Sequence, residues 1–175
     1  MDILILGFVA IGLTGLLALW LGRARSAPMN RCVAPASELG DVVRHFAAQS
    51  DGRDILVVQQ GRLAKPFLQL ARLADDDGST RLVLNFPLVA WSKRYQDRVE
   101  EIATRHGATA RRLRVASLTP HDADAPDTYL ELDFGPGEDG REAAVTACTE
   151  IARDAFAWQD DASLTCLAVA SRDAA

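Results

Sequence analysis

Three groups of residues in this 175-residue chain have types and spacings suited to chemistry. Gly135-Pro136-Gly137-Glu138-Asp139-Gly140 fits G-x-G-x-x-G, the turn that seats a pyrophosphate on a helix N-terminus. His121, Asp122, Asp124 and Asp127 put an imidazole and three carboxylates into one loop, the donor types of a metal site. Cys148 or Cys166, with His45, His106 or His121, offers the nucleophile and base of covalent catalysis. A plainer reading of each is the better one. Glu138 and Asp139 would meet a pyrophosphate with like charge, and the strand before them alternates as a one-sided sheet does, where a βαβ unit needs a strand buried on both faces. Acids close to a helix N-terminus are explained by the helix dipole. In the acidic loop, Pro126 and Asp127 stand where a calcium loop needs a ligand and its glycine. Cys148 lies on the apolar stripe of its helix as a small core residue, and His106 precedes a helix-ending Gly107, where an imidazole suits the C-terminal dipole. Arg105, Arg111, Arg112 and Arg114 form a basic cluster; Arg112 and Arg114 are expected to share a face with Glu131 and Asp133 across a hairpin and to be neutralised there. The sequence thus points to no catalytic residue, no metal and no cofactor. An enzymatic reading would have to use Cys166, His121 and the acidic loop.

The formal net charge is -5, which disfavours nucleic acid as a partner because phosphate neutralisation dominates that affinity. Residues 3–21 contain no charge, and 19 residues of helix span about 28 Å, close to the hydrocarbon thickness of a bilayer. This run reads as one transmembrane helix within a segment 1–22. The chain begins Met1-Asp2 without a positive leader, and Arg23, Arg25 and Arg31 follow the run, so a cleaved signal is not expected. The same arginines place the N-terminus outside and the rest in the cytoplasm, at the inner membrane. Trp20, Arg23 and Arg25 are the expected interface anchors. Gly7, Ala10, Thr14 and Ala18 form a stripe of small residues on which a second membrane helix can pack; helices of this kind are also simply rich in such residues. Residues 23–36, with two prolines and no apolar period, read as a juxtamembrane linker. The three cysteines, odd in number and widely spaced, match a reducing compartment and argue against a disulfide frame.

These features sit on a domain expected over 37–170, with a tail at 171–175. Ser37 is the expected cap of a helix over 37–49, on which Leu39, Val42, Val43, Phe46 and Ala47 keep a 3.6 period. Strands are expected at 55–58, 67–73 and 81–86, the last with Leu82, Leu84 and Phe86 on one face. Trp91, Tyr95, Val99, Ile102 and His106 stripe a helix over 89–106. Two more strands follow, 112–117 with Leu113 and Val115 inward and 128–134 with Leu130, Leu132 and Phe134 inward. A helix over 141–158 comes next, then an apolar run at 164–169 expected as an edge strand or docked tail. The order α-βββ-α-ββ-α with alternating strands predicts an α+β domain, an antiparallel sheet with helices on one face.

Phe67-Leu68-Gln69-Leu70-Ala71-Arg72, Leu82-Val83-Leu84-Asn85 and Ala152-Arg153-Asp154-Ala155-Phe156-Ala157-Trp158, in that element order, resemble the YbjN-like domains and class I type III secretion chaperones grouped as TY-Chap. The resemblance implies a small α+β domain, often dimeric, that offers apolar grooves to an extended peptide and has no catalytic residues to carry over. The membrane segment departs from that pattern. The expectation is therefore a membrane-anchored, non-enzymatic, chaperone-like binding or scaffolding module at the cytoplasmic face. Its expected partners are the bilayer, another membrane protein and a second copy of itself; an accessory subunit of a larger membrane complex is the alternative.

Overall fold

The computed structural model describes residues 30–49, 53–61, 65–75, 78–114 and 128–170. Their elements are β1 (Asn30–Pro35), α1 (Leu39–Ala48), β2 (Arg53–Gln60), β3 (Phe67–Ala74), β4 (Thr80–Pro87), α2 (Lys93–Arg105), β5 (Thr109–Arg114), β6 (Thr128–Pro136), α3 (Gly137–Glu150) and β7 (Ser163–Ala170). One sheet runs β1-β7-β2-β3-β4-β6-β5, and every neighbouring pair is antiparallel. The α+β class with an antiparallel sheet is as expected from the alternation.

Period-2 side chains explain which face carries the helices. Leu56 opposes Leu70, Leu70 opposes Leu84 and Leu84 opposes Leu132, so one row of buried leucines crosses four strands. Leu39, Val43 and Phe46 of α1, Val99 and Ile102 of α2, and Val145 and Cys148 of α3 join that row in one core. Each leucine so buried contributes about 1.5–3 kcal/mol relative to exposure. Arg72, on the same face, has its guanidinium covered: it donates to the Phe46 carbonyl at 3.4 Å and to Asp54 Oδ1 at 3.4 Å, and lies over the Phe46 ring.

Several element boundaries depart from the sequence reading. The stretch 23–36, expected as a linker, contains β1, which pairs with β7 along its whole length. Its identity comes from backbone pairing at an edge, where Pro35 is tolerated, and not from alternation. The run at 164–169 is an interior strand, β7, seated between β1 and β2. Ser37 falls in a 3-10 turn, Ala36–Glu38, and makes no cap; α1 starts at Leu39. The second helix starts at Lys93, because Ser92 ties the preceding turn by accepting from the Val89 N–H at 2.9 Å and donating to the Pro87 carbonyl. The last helix ends at Glu150 and widens into a π turn, Ile151–Ala155. In β5 the inward phase is the opposite of that expected: Ala110 opposes Leu132 and Arg112 opposes Leu130 on the helix face, while Leu113 opposes Tyr129 on the other.

Among the described residues no helix is long and apolar enough to cross a membrane. The apolar run 3–21, with Gly7, Ala10, Thr14, Ala18 and Trp20, and also Arg23 and Arg25, lies outside the described residues.

Candidate functional site

The glycine motif forms the bend from β6 into α3. Gly135 and Gly137 have φ of 78° and 84°, and a Cβ on Gly140 would come within 2.7 Å of the Phe134 carbonyl oxygen and closer still to that of Gly135. The glycines are there for backbone approach, and β6 is antiparallel to both neighbours, unlike the strand of a dinucleotide-binding unit. His121, Asp122, Asp124 and Asp127 lie outside the described residues. No group of three or more His, Cys, Asp and Glu suited to a metal occurs among the described residues. Burial pushes the Cys148 thiol up to about 12 and the Cys166 thiol up to about 12, so neither is poised as a thiolate. His45 is exposed on α1.

His106 does end α2, and the structure adds its partner. Its Nε2 is 2.7 Å from Glu150 Oε2, and Arg105 donates to Glu150 Oε1 at 2.8 Å. The hydrogen bond from His106, with the Arg105 charge behind it, holds the Glu150 carboxyl below the usual range. This ties the end of α2 to the end of α3. The basic cluster disperses: Arg111 is the residue that meets Glu131, at 2.6 Å, while Arg112 lies 3.8 Å from Glu100 of α2. The expected pairing of Arg112 with Glu131 is thus corrected by one residue of register.

What the fold does gather is aromatic. Phe67 and Trp91 have centroids 5.3 Å apart, Trp91 and Tyr95 6.5 Å, Tyr95 and Phe156 5.2 Å, and Phe156 and Trp158 5.3 Å. Phe86 closes the cluster from below, at 6.0 Å from Trp91 and 6.3 Å from Phe156. Phe67, Trp91 and Tyr95 are only partly buried. Two cations rim the exposed side: Lys65 Nζ lies 5.9 Å over Trp91 and the Arg94 guanidinium 4.5 Å over Tyr95. Local chain geometry places the rings. Phe67 opens β3, Trp91 and Tyr95 straddle the start of α2, and Phe156 and Trp158 follow the π turn. In that exit the Phe156 N–H reaches the Ile151 carbonyl at 3.0 Å and the Trp158 N–H the Ala152 carbonyl at 2.9 Å. Between them Ala157 takes φ 56°, a left-handed backbone that costs a non-glycine residue about 1–2 kcal/mol. The Trp158 Nε1–H is buried with no partner among the described residues, and Trp158 lines an open cleft of about 470 Å³ with Arg153, Ala157, Gln159, Asp160 and Asp161.

A π turn, a strained alanine and an orphan indole N–H in one corner are features that cluster at functional sites. Along the sequence these rings belong to different elements, Phe67 and Phe86 to strands, Trp91 and Tyr95 to one helical stripe and Phe156 and Trp158 to the end of another helix, so no local pattern announces the corner. The available signal was that Trp91, Tyr95, Phe156 and Trp158 all lie at or near element ends, where rings from different elements can meet. Comparison with family models, with curated proteins and with solved structures returns no match.

Proposed function

We propose that this chain is a single-pass membrane protein whose domain is a non-enzymatic binding module, holding an extended segment of a membrane partner at the cytoplasmic face. The observation that carries the reading is the aromatic corner. Half-buried Trp and Tyr rings supply large, stiff contact area with little entropy to lose, and such residues dominate binding energy at interfaces. Lys65 and Arg94 at the rim favour a segment that carries acidic or aromatic side chains. Tethering to the inner membrane raises the local concentration of a membrane partner, so a modest intrinsic affinity is sufficient. Residues 3–21 provide the tether, with Trp20, Arg23 and Arg25 at its interface.

A photoreactive residue at position 95 of the full chain, in native membranes, tests the corner. One membrane protein cross-linked at position 95, absent from a probe at the exposed Val33, and lost in Arg94→Glu, is the expected result. Equal patterns at positions 33 and 95 would overturn the site. Retention of the full chain in the pellet after alkaline carbonate washing checks the tether, and its release would remove it.

A second reading rests on the stripe Gly7, Ala10, Thr14 and Ala18: the chain is an accessory subunit packed through its membrane helix. Leucine at positions 10 and 14 then abolishes co-purification while leaving the position-95 cross-link unchanged in a tethered binder.

A further inference from the structure

Of the three cysteines, the structure brings two together that the sequence separates by most of the domain. Cys32 of β1 and Cys166 of β7 are directly opposed in the antiparallel ladder. Directly opposed residues in such a ladder have Cα atoms about 4.5–5.5 Å apart, inside the roughly 4.4–6.8 Å that a disulfide spans. Cys32 is exposed on the sheet edge, whereas Cys166 is 1% exposed and shielded on its other side by Val58 of β2. Both thiols are free in the structure.

We propose that Cys32 and Cys166 form a reversible cross-strand dithiol–disulfide pair, oxidised by a low-molecular-weight disulfide. The asymmetry in exposure assigns the roles. Cys32, as its thiolate, attacks one sulfur of the small disulfide; the S–S bond of that molecule breaks, one small thiolate leaves, and Cys32 carries the mixed disulfide. The Cys166 thiol then gives up its proton to solvent and attacks the Cys32 sulfur, forming the Cys32–Cys166 bond and expelling the second small thiolate. Two protein thiols and one small disulfide become one protein disulfide and two small thiols, the two electrons passing to the latter. Directly opposed residues of an antiparallel pair project to the same face of the sheet, so the second sulfur is within reach of the first. Burial raises Cys166 to about 12, which makes the closing step the slow one. The bond staples the edge strand β1 to the interior strand β7 and spans the domain from its first strand to its last. In a reducing compartment such a bond is transient and responds to oxidant.

The test uses the full chain in detergent, incubated with glutathione disulfide and then denatured for thiol counting. The expected count falls from three to one, the protein mass falls by two hydrogens, and peptide mapping recovers Cys32 joined to Cys166 with Cys148 free. Dithiothreitol restores all three thiols. In Cys166→Ala the reaction halts at a stable glutathione adduct on Cys32. Cys32→Ala, an exposed edge substitution that leaves the core intact, takes up no oxidant. Three thiols surviving in the wild-type chain, a persistent adduct on wild-type Cys32, or a Cys32–Cys32 bond between two chains would each overturn the pair.

Discussion

Ala157 is the non-glycine residue with left-handed backbone among those described, at φ 56°. Glycine carries no Cβ penalty there, so Ala157→Gly is expected to stabilise the domain by about 0.5–1 kcal/mol after the added freedom of the unfolded chain is subtracted. Denaturant midpoints at constant m-value check this. Gly140→Ala is the opposite case: its Cβ would press on two backbone carbonyls of the β6 to α3 bend, which cannot swing aside as a side chain can. A loss of about 1–3 kcal/mol is expected from the forced shift. At Glu150 the prediction concerns pH. Its carboxyl is depressed in the folded state, by His106 first and Arg105 next, so its contribution is complete above its ordinary value near 4.5 and is lost as acid protonates it. Glu150→Gln should therefore flatten the acid limb of a stability profile measured between about pH 3 and 6; an unchanged limb would remove the pair as a stabilising contact.

Among the elements, β1 changes the most in meaning between sequence and structure. Read as composition, 23–36 is a linker; folded, its last residues complete the sheet beside β7. A chain beginning at residue 37 strips that pairing, exposing an interior strand's N–H and C=O groups beside Leu164 and Cys166, both buried in the intact domain. Such a chain is expected to self-associate, whereas one beginning at residue 28 keeps β1 and elutes as a single species on size exclusion. Period-based reading succeeded where one face is core and the other is not, as in β4, whose Leu82, Leu84 and Phe86 are all buried. It failed at β5, an edge strand in which Ala110 and Arg112, not Leu113, face the helices. An edge strand is held by one ladder and weakly by its side chains, so its hydrophobic pattern carries less information. The aromatic corner failed for a different reason: stripes are properties of single elements, and a ring cluster is a property of several.

Across the whole molecule the last strand occupies the middle of the sheet's first half. β7 pairs with β1 on one side and β2 on the other, so the strand formed last in sequence joins the first two. Truncation after residue 160 removes the only sheet partner of β1 among the described strands and exposes β2. The expected outcome is loss of cooperative unfolding by circular dichroism, although α1, α2 and α3 remain encoded. Local patterning by itself determined the α+β class, the helix-bearing face of the central strands and the glycine bend ahead of α3, since these follow from period and glycine chemistry within a few residues. Tertiary structure alone decided the seat of β7, the opposition of Cys32 to Cys166, the partner of His106 and the gathering of six rings. Each of those depends on which distant segments the sheet order brings side by side, and alternation along a strand says which way a residue faces but not what it will face.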